Sequence, residues 1–548
     1  MNNKILKFIR LYHTVKYLKA SQIICRVERR FSKTVLKSIP TISTRKNLFD
    51  FLSFPLIKST YLLNDQFKFL NHIASIGSWN SPTEEKLWLY NLHYFDDLNA
   101  LGFEDRLTQH HLLVNKWINE NPPPSGNGWE PYPISLRIVN WIKFFLRENV
   151  VFEAWSKSLW QQVYVLEQRV EYHLLGNHLF ANAKALVFAG CFFEGEEANN
   201  WLAKGLSILD KEIPEQILID GGNFELSPMY HQTILADMLD LINLANCYQL
   251  PTLVERVESW KNMASRMLTW MQAMNHPDNE VSFFNDSAIG IAPTKNKICE
   301  YAEILGIEAM PLSPSLAVDN LQATYLSESG YTIVENPCFK AILDTAKIGP
   351  DYIPGHAHAD TLSFELSVFG QRVFVNSGTG EYGISDERLR QRKTAAHNTV
   401  EVDGEDSSEV WSGFRVARRA YTSVPTISKS ENNVKVSCSH NGYLRLPGKV
   451  THNRDWSFTS SSISIKDTLI GAYKSAIAHY HIHPDIQVLV NGQNATLTLS
   501  CGRQLTVEAS QNIFLEDTTW HPEFGLSIPN KKLMIPLKDN ALDVTIRF

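Results

Sequence analysis

Residues 362–375 read LSFELSVFGQRVFV, with apolar side chains at Leu362, Phe364, Leu366 and Val368 and polar ones at Thr361, Ser363, Glu365 and Ser367. A period of two puts successive side chains on opposite faces, so the stretch predicts half-buried strand. The same texture runs outward from it. GYTIVE (330–335), CFKAILDT (338–345), NTVEVDG (398–404), IQVLVNG (486–492), ATLTLSCG (495–502), QLTVEAS (504–510) and ALDVTIRF (541–548) are short alternating segments, and Gly, Asn and Asp punctuate the region. Many short strands with turn residues between them imply antiparallel sheets from about Leu312 onward.

Upstream the period changes. From about Trp79 to Cys299, apolar residues recur at three- and four-residue spacing, as in 84–101, 134–149, 177–193, 230–250 and 252–274. That spacing gives each helix one apolar face, and the breakers Asn121-Pro122-Pro123-Pro124 and Asp220-Gly221-Gly222-Asn223 separate the helices into stacked hairpins. The expected fold is therefore α+β with two domains, a helical one followed by a large antiparallel β-sandwich, with a ligand bound between them. We place a basic helical extension at 1–75, the helical domain at 76–312 and the sandwich at 313–548. Length alone would give about three or four domains, so the texture is the stronger guide.

Composition sets outer limits. A chain of 548 residues, 44% hydrophobic and of formal charge −6, buries a large core and lacks the basic excess of a nucleic-acid binder. Its seven cysteines are scattered, odd in number and without CxxC pairs, which points to free thiols rather than a disulfide framework. No apolar run reaches the length of a membrane span, and charged residues interrupt the N-terminal segment before a signal-peptide core forms. The expected residence is cytoplasmic. The basic, amphipathic N-terminal helix is expected to dock on its own domain, with peripheral association with an anionic membrane surface as the alternative.

Several clusters carry chemistry. In Gly355-His356-Ala357-His358-Ala359-Asp360, strand geometry would project both imidazoles and the carboxylate from one face, an arrangement suited to a metal. The segment that follows supplies Asn376, Tyr382, Arg388, Arg392 and His397, and arginine forks suit the carboxylates of an acidic ligand. In the helical half, Gly176-Asn177-His178 opens an apolar helix, with Asn177 as a candidate N-cap. Asn223 to His231 is a polar loop holding Glu225 and feeding a helix near Tyr230. His93 and Tyr94, with Trp129 in Trp129-Glu130-Pro131-Tyr132-Pro133, are placed either to stack on sugar rings or to fill the core.

Taken in order, LLGNHLFANAKAL (174–186), FELSPMYHQ (224–232), GHAHADTLSFEL (355–366) and HNTVEVDG (397–404) resemble the heparinase II/III family of polysaccharide lyases, whose relatives include oligoalginate lyases and uronyl C5-epimerases. The resemblance implies an incomplete (α/α) toroid followed by an antiparallel β-sandwich, and β-elimination on a uronic-acid-containing glycan. It implies that Asn177 and His178 neutralise the uronate carboxylate, with His178 also a candidate base. Tyr230 takes the family tyrosine's part in proton transfer, which needs positive charge nearby to favour a phenolate, and His356 reaches in from the β-domain.

The same resemblance implies that His358 and His397 are two ligands of a structural zinc ion. The third family ligand is an aspartate, and here that position is Asn376, a weaker donor; Asp360 is a candidate substitute. No organic cofactor is implied. The expected partner is an acidic polysaccharide or oligosaccharide, bound at His93, Tyr94, Trp129, Glu225, Tyr382, Arg388 and Arg392, and the reading allows a homodimer. Two alternatives stay open: a C5-epimerase or other modifying enzyme of surface-polysaccharide biosynthesis, favoured by the cytoplasmic reading, and a non-catalytic glycan-binding protein.

Overall fold

The computed structural model describes residues 3–62, 64–149, 152–318, 320–430 and 433–548. Two helices, α1 (Asn3–Val15) and α2 (Ala20–Phe31), lead into extended chain and a small hairpin, Gln66–Phe69 against His72–Ser75. The first 75 residues are thus helical only over their first half. Then come α3 (Lys86–Tyr94), α4 (Leu107–Glu120), α5 (Pro131–Glu148), α6 (Glu153–Glu167), α7 (Gly176–Phe192), α8 (Glu196–Gln216), α9 (Pro228–Tyr248), α10 (Pro251–Met274) and α11 (Lys295–Ile304). Proline opens α5, α9 and α10 because the first helical turn needs no N–H from it. α7 and α8 pack as a hairpin, as do α9 and α10, and α5 lies against α7. Their apolar faces meet around Trp117, Trp141, Phe145, Leu186 and Leu239, each at most 1% exposed.

Among the described residues from Leu316 onward, the regular structure is β-strand joined by loops, apart from short helical turns and α12 (Asp386–Arg392). A ten-stranded and an eight-stranded antiparallel sheet face each other. Val334, Leu366 and Val368 from the first interlock with Val436, Trp456 and Val544 from the second, so the sandwich core lies between them. The opposite face of the larger sheet packs on the helical domain, where Tyr331, Ile333 and Ile342 join Trp270, Met274 and Phe284.

That second contact corrects the reading of residues 355–375. The strand begins only at Phe364, and Phe364–Val368 is buried at every position rather than at alternate ones. The polar residues face protein instead of water. His276, just beyond α10, bonds both Glu365 Oε2 (2.9 Å) and Ser367 Oγ (2.7 Å). Residues 355–363 form a turn-rich loop, so His356, His358 and Asp360 do not share one strand face. All seven cysteines are free thiols, and no helix among the described residues is long and apolar enough to cross a membrane.

Candidate active site

Helix α7 begins at a glycine for a steric reason. Gly176 has φ +55°, and a Cβ there would fall 2.9 Å from Glu225 Oε1, so only glycine lets this carboxyl group sit against the helix start. The cap position is Leu175, and Asn177 lies inside the first turn, so its side chain is not the N-cap. It sits instead beside the Tyr132 hydroxyl. His178 follows, its ring 4.5 Å from that of Tyr132 and its Nδ1 bonded to Glu171 Oε2 at 3.1 Å. Arg29 of α2 stands behind that carboxylate, with Nη1 3.9 Å from Glu171 Oε1.

Helix α9 delivers the tyrosine. Ser227 Oγ accepts the Tyr230 N–H at 3.2 Å and donates to the Asp286 carbonyl, while Pro228 opens the helix. Tyr230 is therefore fixed in the first turn. Its hydroxyl meets that of Tyr382 at 2.9 Å. Its ring stacks on His356, with centroids 4.0 Å apart and planes inclined by 17°. Tyr382 is braced edge-on by Phe414 and Phe524.

His356 comes from the β-domain loop, which the helical domain pins. Asp286 donates its N–H to the His356 carbonyl (2.9 Å), Asn285 Oδ1 accepts the His358 N–H (3.0 Å), and Asp360 Oδ2 accepts the Asn285 N–H (3.0 Å). The His356 side chain donates from Nδ1 to Glu225 Oε2 at 2.6 Å. With Nδ1 in that bond, Nε2 is the nitrogen left to accept a proton.

Burial holds the Tyr230 hydroxyl well above the usual tyrosine range, and Tyr382 and Asp286 push it the same way. Tyr382 is raised likewise, first by burial and then by Asp286. The positive charge that a Tyr230 phenolate needs is not supplied by the neighbouring Arg388, which forms a two-pronged ion pair with Asp286. His178 behaves differently. Burial opposes its charged form, but the charge and hydrogen bond of Glu171, together with Glu225, raise it above the ordinary histidine value. The cluster thus joins a neutral phenol, an oriented imidazole, a histidine biased toward imidazolium and an amide. Those groups can donate a proton, accept one and balance a carboxylate.

Asn177, His178, Glu225, Tyr230, His356 and Tyr382 come together as named from the sequence. Other expected ligand-binding residues do not. His93 is fully buried, accepting from Trp117 Nε1 and bonding the Trp79 carbonyl. Trp129, at 2% exposure, donates its Nε1 to the Asn121 carbonyl in the core. Tyr94 is buried edge-on against Tyr132. Arg388 and Arg392 are both 0% exposed, and Arg392 binds the carbonyls of Ala357, Ser412 and Arg415. Their forks do grip oxygen, but it belongs to this chain. Tyr132 was named only within the group at 129–133, and Glu171 and Asp286 take part without having been singled out. Glu171 lies seven residues before His178, but a turn between them hides the pairing, and Asn285-Asp286 reads as an ordinary turn.

The residues do not fit a structural zinc ion in the expected way. His358 Nε2 is bonded to Asp286 Oδ1 at 2.8 Å, and Asn376 Oδ1 accepts the Asn398 N–H at 3.2 Å. The nitrogens free of hydrogen bonds are His358 Nδ1 and both of His397, in rings 5.2 Å apart. No group of three or more His, Cys, Asp or Glu side chains among the described residues is arranged to hold a metal. Asp360, the candidate substitute, is engaged with Asn285.

Comparison with known proteins agrees with this architecture. The chain is 26% identical over 333 residues to a heparin-sulfate lyase of Bacteroides stercoris, covering 57% of this chain and 46% of that protein. It is 28% identical over 337 residues to one of Pedobacter heparinus, covering 56% and 50%. The chain thus spans about half the length of these relatives. Among solved structures, heparinase III superposes with a TM-score of 0.66 over 96% of this chain and 89% of that one, at 18% identity. Heparan sulfate lyase HepC from Pedobacter heparinus gives 0.56 over 88% and 81%, also at 18% identity. These likenesses confirm a helical region followed by antiparallel sheets. The heparinase II/III N-terminus description matches residues 15–307 and the heparinase II/III-like C-terminal description residues 319–548, so both halves of the site are covered and the chain belongs to the heparinase II/III family.

Proposed function

We propose that the chain is a polysaccharide lyase that cleaves a uronic-acid-containing polysaccharide or oligosaccharide by β-elimination. The observation that carries this reading is the contact of Tyr230 with His356 beside Asn177 and His178, which joins a proton donor, a proton acceptor and carboxylate-neutralising groups. A proton next to a carboxylate is weakly acidic because its removal builds a second negative charge, so that charge needs donors and cations aimed at it. The Asn177 amide and the His178 imidazolium fill this part.

His356 Nε2 then takes the C5 proton, with Glu225 fixing the tautomer as carboxyl partners do for histidine bases. The C5–H electron pair forms the C4=C5 double bond, the C4–O4 bond breaks, and the departing O4 takes the Tyr230 proton. Burial keeps Tyr230 protonated for that purpose. Tyr382 holds the phenol in place through their shared hydrogen bond. The lyases named above support the reaction class.

The test is incubation with unsulfated and sulfated uronate glycans in deuterated water. New ultraviolet absorbance from unsaturated uronate supports the lyase. Deuterium at C5 without cleavage would replace it with an epimerase, and glycan binding without either change would leave a binding protein.

A further inference from the structure

The N-terminal helices present their apolar sides outward. Of the large apolar side chains that stay exposed among the described residues, eleven lie between Ile5 and Leu36 and 21 in all the rest of the chain. On α1, Ile5, Phe8, Tyr12 and Val15 fall at spacings of three and four and form one stripe, with Phe8 72% exposed. On α2, Ile23, Val27 and Phe31 do the same, with Phe31 77% exposed.

Meanwhile polar side chains dock these helices on the protein. Arg10 reaches Glu409, Thr14 bonds the Val416 carbonyl and Trp411 Nε1, Gln22 bonds the Tyr352 carbonyl, and Arg29 meets His173. A helix that only covered its own domain would turn its apolar stripe inward. Here, among the described residues, nothing buries the stripe.

Charge identifies what the face fits. Residues 1–49 contain twelve Lys and Arg and one acidic residue, Glu28, a formal +11. The whole chain is −6, so residues 50–548 carry −17. Ion pairs in the segment use Arg10, Lys19, Arg29 and Lys37, while Lys7, Lys16, Arg26, Arg30 and Lys33 are exposed. Lys7 and Lys16 flank the α1 stripe, and Arg26 and Arg30 border that of α2. Two copies of so basic a face repel each other, whereas an anionic lipid surface satisfies both its charge and its apolar side chains.

We propose that α1 and α2 form a docking face for an anionic membrane surface, with Phe8, Tyr12, Val27 and Phe31 entering the headgroup boundary and the surrounding lysines and arginines holding lipid phosphates. The face lies on the polypeptide that also runs behind His178, so the enzyme would work beside the membrane while its cleft stays in water.

The test is co-sedimentation of the full chain with phosphatidylcholine vesicles, with and without phosphatidylglycerol, at low and high salt. Binding is expected only to the anionic vesicles, to weaken with salt, and to fall at least about tenfold in the Phe8→Glu, Val27→Glu double variant. That variant should keep the wild-type melting midpoint and wild-type turnover of soluble oligosaccharide, since both side chains are exposed. The proposal fails if the wild type ignores anionic vesicles, binds neutral ones equally well, or is unaffected by the double substitution. It also fails if light scattering shows a dimer that the same variant disperses, because the face would then belong to a second copy.

Discussion

The ring of Tyr230, set in the first turn of α9, lies nearly parallel to that of His356 with 4.0 Å between centroids, although the two residues belong to different domains. Neither domain alone holds both the donor and the acceptor of the proposed proton transfers. Their spacing is set by the interface beneath them, where His276 bonds Glu365 and Ser367 and Asp286 holds the His356 loop. The geometry of the proposed proton transfers is therefore a property of domain packing, and substitutions can separate chemistry from architecture.

Tyr230→Phe removes the hydroxyl and keeps the ring stacked on His356. If Tyr230 delivers the proton to O4, turnover falls by about 10²–10⁴-fold, the usual weight of one general acid. Glycan affinity by calorimetry and the melting midpoint should stay near wild type, because the ring still fills its place. Near-normal absorbance rates in the Tyr230→Phe variant would remove Tyr230 from the mechanism.

Glu171→Gln should move the alkaline limb of the pH–rate profile. The His178 value is raised in the folded protein, because against the burial that disfavours charge stand the charge and hydrogen bond of Glu171, with Glu225 adding to them. The imidazolium and its contribution are therefore present below the ordinary histidine value, about 6.5, and are lost as pH rises through the raised one. Without the Glu171 charge, burial dominates and the limb shifts to lower pH. Arg29→Ala should shift it slightly upward, since Arg29 disfavours the imidazolium. Profiles of kcat/KM for the two variants decide this, and limbs that coincide with wild type would mean His178 acts as a neutral donor.

The division at about Leu312 was legible because the period of apolar residues changes there from helical to alternating. What the period could not reveal is what polar positions face. Glu365 and Ser367 look solvent-directed in one dimension, but their partner, His276, lies about ninety residues upstream and is reached only when the sheet docks on α10. The same limit applies to the arginines. Arg388 has the fork expected for a carboxylate ligand, and its carboxylate is Asp286 of the same chain. Asn177, His178 and Tyr230 were readable because each sits in the first turn of a helix with a local start signal, and His356 because it lies in the GHAHAD segment, although what fixes it comes from the helical domain. Glu171 and Asp286, which orient histidines across turns and domains, leave no such local mark.

Arg388→Ala tests that buried pair. Asp286 is fully buried, and Arg388 and His358 hold its carboxyl well below the usual range against the cost of burial. Removing one partner of such a pair leaves an uncompensated charge and costs about 3–5 kcal/mol. Chemical denaturation should show a loss of that size. Asp286 also donates its N–H to the His356 carbonyl, so residual activity should fall beyond what the folded fraction explains. A loss below about 1 kcal/mol would mean that the pair is compensated by water.

The metal question turns on Asn376. Its oxygen accepts the Asn398 N–H, and His358 Nε2 is bonded to Asp286, so a zinc ion at this place lacks an anionic ligand as its third donor. Exhaustive chelation should therefore leave the melting midpoint and turnover of the wild type unchanged. Asn376→Asp puts a carboxylate at the position that bonds Asn398, the residue after His397, and with the unbonded ring nitrogens of His358 and His397 it would complete a two-histidine, one-carboxylate set suited to zinc. Without metal that variant should melt lower than wild type, because a buried carboxylate near Glu365 lacks a counter-charge. Added zinc should then raise its midpoint and appear at about one equivalent by elemental analysis. A wild type whose midpoint drops on chelation would show that the amide serves as a ligand after all, with the Asp286 bond to His358 exchanged for the metal.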